Sequence, residues 1–149
     1  MDPGGPIGAG QEAIRLVVAG DPVRLGQACD NLVSNAVKFT PAGGSVTLTV
    51  MSGWQSADGA VTPDQRPGAV PVAQLAVRDT GIGIPDDEQG KLFTRFFRAS
   101  TAQRSAVPGV GLGLSITKAI TTAHGGTLDL VSVEGEGTTF TLTLPRDLG

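Results

Sequence analysis

Two glycine-rich boxes constrain this chain more than anything else in it. Asp79-Thr80-Gly81-Ile82-Gly83-Ile84-Pro85 follows an alternating run, Ala73, Leu75 and Val77, that reads as a strand. Gly109-Val110-Gly111-Leu112-Gly113-Leu114 leads into a run at helical spacing, Leu112, Ile116, Ala119, Ile120 and Ala123. At such junctions glycine permits turns and close approaches that a Cβ blocks. A helix opening from a glycine loop also presents unpaired N–H groups and a partial positive charge, a seat for phosphate. Glycine strings recur by chance in a chain with 22 glycines, so the boxes gain meaning only from their surroundings.

Those surroundings read as alternating elements. Ile14, Leu16 and Val18 suggest a first strand ending at Gly20. Asp21 then caps a helix with Pro22 at its first position, where a missing N–H does no harm. Leu25, Cys29, Leu32, Ala36 and Phe39 carry that helix to the stop at Thr40-Pro41. Asn31, Asn35 and Lys38 share another of its faces. Val46, Leu48 and Val50 form the next strand. Between it and the strand before Asp79, residues 52–71 lack periodicity and read as an exposed, mobile hairpin extension whose Trp54 packs back on the sheet or is simply exposed, the alternative being that it marks a contact surface. A short helix lies within 85–98, residues 100–109 are polar, and the last helix runs from Gly111 to a stop at Gly125-Gly126. Strands 128–133 and 138–144 close the chain as a hairpin through Glu134-Gly135-Glu136-Gly137. The pattern predicts an α/β (α+β) two-layer sandwich: a mixed, mostly antiparallel sheet covered on one face by about three helices.

Bulk properties narrow the function. A chain of 149 residues suits one domain, residues 13–146, after a flexible segment 1–12. Its apolar runs fall far short of the roughly 18 residues that span a bilayer, and its start lacks a signal-peptide pattern. The lone Cys29 excludes an internal disulfide. With eleven scattered Lys and Arg and a net charge of −3, the chain has no basic stripe for nucleic acid.

Four motifs thus stand in a fixed order: Asn31, Asn35 and Lys38; Asp79 to Pro85; Lys91-Leu92-Phe93 to Arg98; and Gly109 to Leu114. Together they resemble the catalytic and ATP-binding domain of two-component sensor histidine kinases, a superfamily shared with type II topoisomerase ATPases, heat-shock chaperones and mismatch-repair ATPases. The resemblance covers roughly residues 14 to 145. It implies the Bergerat-type ATP-binding fold, with ATP and Mg²⁺ as cofactors. It also implies two partners, a phosphoacceptor histidine on a separate dimerisation domain and a response regulator receiver domain downstream. The expected setting is the cytoplasm, within a parent that can be anchored in a membrane, and the isolated domain is expected to be monomeric.

The resemblance assigns roles residue by residue. Mg²⁺ prefers oxygen and keeps several waters while bridging phosphates, so Asn35 would be its main protein ligand and Asn31 a second or water-mediated one. Lys38 would meet phosphate as a point charge. Phe39 would either line the pocket or anchor the helix. Asp79 would accept the adenine amino group, which suits an acceptor-only carboxylate. Gly81, Gly83 and Ile84 would shape that end. Phe93 and Phe96 would pack beneath an ATP lid, residues 99–109, with Arg98 reaching the γ-phosphate. Gly109, Val110, Gly111, Leu112, Gly113 and Leu114 would bind the triphosphate, although family members often have Thr or Ser where Val110 stands. Thr138 would assist the adenine end through water, or serve as a plain strand residue.

What is missing shapes the expected reaction. The only histidine, His124, ends a helix and matches a structural position of the family, not the phosphoacceptor. The superfamily's hydrolases carry a Glu base one turn before the metal-binding Asn. Here that position is Asn31, which is no base near neutral pH. Transfer to a partner's histidine is therefore expected over fast hydrolysis. The alternatives are an ATP-hydrolysing clamp and a non-catalytic nucleotide-binding interaction module.

Overall fold

The computed structural model describes residues 15–94, 97–100 and 113–148. Helix α1 spans Pro22–Phe39. Strands β1 (Val46–Gln55), β2 (Val61–Thr62) and β3 (Val70–Asp79) follow. A 3-10 helix spans Asp86–Lys91, α2 Gly113–Ala123, β4 Thr127–Val133 and β5 Gly137–Pro145. The strands form one sheet in the order β2-β1-β3-β5-β4, every pairing antiparallel. Two layers stand as expected, and the sheet lies at the antiparallel end of the mixed range.

Local chemistry sets the helix ends. The Asp21 carboxylate accepts the N–H groups of Val23 and Arg24 at 3.0 and 3.3 Å, and Pro22 follows at the first helical position. At the other end Thr40 turns extended, before Pro41. Helix α2 stops as its glycines predict. Gly125 has φ +74°, its N–H reaches Thr122 O, and the N–H of Gly126 reaches Thr121 O, closing both orphan carbonyls.

The core lies between the helices and one sheet face. Leu32 and Ala36 of α1 meet Val77, Phe140, Leu142 and Leu128 from the sheet, with Ile84 and Leu92 at the margin. Cys29 packs partly against this cluster, and burial raises its thiol pKa. On β1, which the short β2 flanks only at Trp54 and Gln55, Leu48 and Val50 lie on the core side but stay 51% and 65% exposed.

Two expectations need correction. Residues 15–19 form no strand; Val17 accepts one hydrogen bond, from Asp147 N–H, and no ladder forms. An alternating pattern specifies a strand only where a neighbour offers a matching edge. The hairpin around 52–71 is also more regular than its composition suggests. The β1–β3 ladder runs on to Gln55 opposite Val70, with Trp54 opposite Pro71. The connection is therefore 56–69, folded back as β2 beside Trp54 and Gln55. No helix among the described residues is long and apolar enough to cross a membrane.

Candidate nucleotide site

Three polar residues form a row across three neighbouring strands. Asp79 of β3 is paired with Thr138 of β5, and Thr138 with Ser132 of β4. The row continues the core-facing positions occupied farther along by Val77, Phe140 and Leu130, so polar atoms stand where the pattern calls for apolar ones. All three are buried, Asp79 to 5% exposure. Its carboxylate accepts the N–H of Gly81 at 2.9 Å. Burial pushes the Asp79 pKa above the ordinary carboxylate value, while the N–H groups of Gly81 and Thr138 pull it partly back.

The loop after Asp79 is fastened on two sides. Toward α1, Ile82 N–H donates to Phe39 O at 3.2 Å, and a Cβ on Gly81 would overlap that same carbonyl. Phe39 thus anchors the loop through its backbone. Toward the β4–β5 turn, Gly83 has φ +68°, and a Cβ there would overlap Val133 O. Gly135 N–H donates to Ile82 O at 2.8 Å, and Ile84 N–H to Ser132 Oγ at 2.9 Å. Gln89 completes the clamp, its Nε2 donating to Ile84 O at 3.0 Å and to Ser132 O at 3.1 Å.

Helix α1 brings its polar face toward the start of α2. Asn31 Nδ2 lies 3.3 Å from both Gly113 O and Thr117 Oγ1. Because Gly113 O can only accept, this contact fixes the amide's orientation and leaves Asn31 Oδ1 as the end available to a cation or a water. Thr117 donates its own hydroxyl to Gly113 O at 2.8 Å. Asn35 is half-buried one turn on, and Lys38 is exposed. Oxygen donors of this kind suit Mg²⁺.

The segment leading to Arg98 is partly core. Phe93 meets Phe140 edge-on, with ring centroids 6.5 Å apart, and carries Lys118 Nζ 5.6 Å above its ring. Phe97 packs against the same cluster, and Arg98 is half-buried. Glu88 accepts the backbone N–H and the hydroxyl of Ser100, tying down the start of the expected lid. Phe96, lid residues 101–109 and the box positions Gly109, Val110, Gly111 and Leu112 lie outside the described residues. Gly113 and Leu114 open α2, with Leu114 partly buried against the core. A depression lined by Ser45, Thr47, Thr49, Arg78, Thr80 and Thr139 lies away from these groups, on the opposite sheet face.

Comparison with known proteins shows the family. The "Histidine kinase-, DNA gyrase B-, and HSP90-like ATPase" family matches residues 20–148. The chain belongs to that family. The circadian input-output histidine kinase CikA of Synechococcus elongatus is 42% identical over 130 residues, 87% of this chain and 15% of CikA. The sensor histidine kinase WalK of Bacillus subtilis is 38% identical over 130 residues, 87% of this chain and 19% of WalK. The chain thus spans less than a fifth of either relative. Among solved structures, the mycobacterial sensor histidine kinase MprB superposes with TM-score 0.70 at 35% identity, covering 88% of this chain and 78% of that one. The catalytic domain of histidine kinase ThkA gives TM-score 0.62 at 27% identity, covering 87% and 71%. Within the family, then, this is a histidine-kinase catalytic domain.

Ser132 and Gln89 escaped the sequence reading. The one available signal was a serine in the inward register of Leu128 and Leu130, where a strand buried on that side should be apolar.

Proposed function

We propose that the chain is the ATP·Mg²⁺-binding part of a sensor histidine kinase, working in the cytoplasm whether or not the parent is anchored in a membrane, and that it passes the γ-phosphoryl group to a histidine on a separate dimerisation domain. A response regulator receiver domain then takes the group onward. Asp79, Thr138 and the loop Gly81–Ile84 hold adenine; Lys38, Arg98 and the box 109–114 serve as the phosphate ligands. Asn35 and Asn31 hold Mg²⁺, which when bound supplies positive charge across the phosphates.

The observation that carries the transfer reading is the anchoring of Asn31. Its amide nitrogen is committed to Gly113 and Thr117, so the position one turn before Asn35 holds a fixed neutral amide where a hydrolase needs a base. Water is then poorly activated, and the γ-phosphoryl group awaits a better nucleophile. The incoming histidine nitrogen bonds to the γ-phosphorus as the bond to the β,γ-bridging oxygen breaks, and ADP leaves. The protein's part is in-line positioning and charge.

The test is phosphotransfer in trans. With γ-labelled ATP and Mg²⁺, the chain alone should acquire no acid-labile label, and a separately prepared dimerisation domain from the same parent should become labelled on its histidine. Phosphate release by the chain alone at a rate matching that transfer would favour a hydrolase instead.

A further inference from the structure

Ser132 Oγ has three polar neighbours and a single hydrogen. Ile84 N–H donates to it at 2.9 Å, Gly137 O stands 3.0 Å away and Thr138 Oγ1 2.8 Å away. A carbonyl oxygen can only accept, so the contact with Gly137 O uses the one hydrogen of Ser132. The contact with Thr138 is then a hydrogen bond only if Thr138 donates. The opposite choice would set the Ser132 and Gly137 oxygens lone pair against lone pair in a buried site, at the cost of an unmet hydrogen bond.

From this count we infer that Ser132 is a specificity-determining positioning residue: by taking the Thr138 hydroxyl hydrogen it leaves Thr138 Oγ1 with lone pairs only. Asp79, its neighbour in the row, is likewise an acceptor when ionised. The adenine end therefore offers acceptors on two adjoining strands. A purine 6-amino group, or a water bridging to it, supplies the donors they need. A 6-oxo group brings lone pairs to lone pairs, and Thr138 cannot turn to meet it while Ser132 holds its hydrogen. Ser132 itself touches no base. The inference rests on the proposal that Asp79 and Thr138 face adenine.

Inosine triphosphate differs from ATP only along that edge of the base, with a 6-oxo group and an N1–H in place of the 6-amino group and the bare N1, so the ratio of the two affinities in the 149-residue chain, compared between parent and Ser132 variants, reads the effect. The parent chain should prefer ATP. Ser132→Ala frees the Thr138 hydrogen and should lower the preference about 5- to 10-fold, one to two hydrogen bonds' worth, chiefly by improved inosine triphosphate binding. Ser132→Thr keeps a hydroxyl and should restore the parental ratio. Mg²⁺-triphosphate affinity should not change in either, which separates the effect from general loosening. Should the alanine variant unfold, Ser132→Cys keeps the shape with a thiol too weak to hold the three partners and should show the same loss. A parent chain that binds both nucleotides alike would remove the adenine role of Asp79, and this inference with it. A parent that discriminates, beside a folded Ser132→Ala or Ser132→Cys chain that discriminates equally, would overturn the role of Ser132 alone.

Discussion

His124 Nε2 accepts the backbone N–H of Asp21 at 3.0 Å, so the first residue past α2 satisfies an amide at the head of α1. Its other nitrogen, Nδ1, lies 2.8 Å from Ile120 O and must carry the ring hydrogen to bond that carbonyl. Nε2 thus joins the two helices, while Nδ1 fixes the ring against α2. His124→Ala removes both ring hydrogen bonds with part of the packing and should lower stability by about 2 kcal/mol and the melting temperature by about 6 °C. Nucleotide affinity should hold. A thermal melt beside an ATP titration checks both, and loss of ATP binding without loss of stability would contradict the helix-joining role.

Asp79 sits in the folded domain at a cost that depends on pH. Its pKa is raised by burial, so the folded state binds its proton more readily than the unfolded state does. Stability from this group is therefore greatest below its unfolded value and falls as pH rises towards and through the raised one. Asp79→Asn removes that dependence. Relative to the parent, the variant should gain stability between acid and neutral pH while losing adenine nucleotide affinity. Urea denaturation at pH 4 and pH 7 measures the first, and a nucleotide titration the second; a variant that loses relative stability on going to pH 7 would contradict the sign.

Asn35 is expected to act through the metal alone. Asn35→Ala should reduce the gain in ATP affinity that Mg²⁺ brings by about 10-fold, and leave metal-free affinity within about 2-fold, because the adenine end is untouched. Calorimetric titrations with and without a chelator separate the two. Equal losses in both would make Asn35 a structural residue of α1.

Gly83 and Gly43 both have positive φ, but only Gly83 is enclosed, against Val133 O; nothing lies within 4 Å of a Cβ on Gly43. Gly43→Ala should cost only the strain of its backbone conformation, about 1 kcal/mol. Gly83→Ala must also move the loop off the turn and should cost about 3 kcal/mol or more, with reduced ATP affinity. Parallel denaturation curves give the comparison, and equal costs would refute it.

The elements legible in the sequence were those whose signals are local. Asp21-Pro22 and Gly125-Gly126 mark helix ends by their own backbone chemistry, and the structure places α1 and the α2 stop there. Asp79, Gly81, Gly83 and Thr138 stand in motifs that the sequence displays, and the structure brings them to one end of the sheet. What depended on partners far along the chain was not legible. Leu16 and Val18 alternate like a strand but meet no edge, whereas Trp54 and Gln55 lack the pattern yet gain a ladder from β3. The hydrogen bond from Ile84 to Ser132 spans 48 positions, and nothing near Ser132 in the chain announces it.

The bond from Gly135 N–H to Ile82 O has a bearing on how this domain can be rebuilt. A hairpin tip is usually the place to graft a tag, a reporter domain or a new chain terminus, because its residues answer to nothing else. Here the tip between β4 and β5 doubles as a splint for the glycine loop, while Gly59, in the connection from β1, faces open space. Grafts belong at the second hairpin. Even a single residue inserted at the first would shift the splint, and with it the ligand end of a domain whose fold had survived.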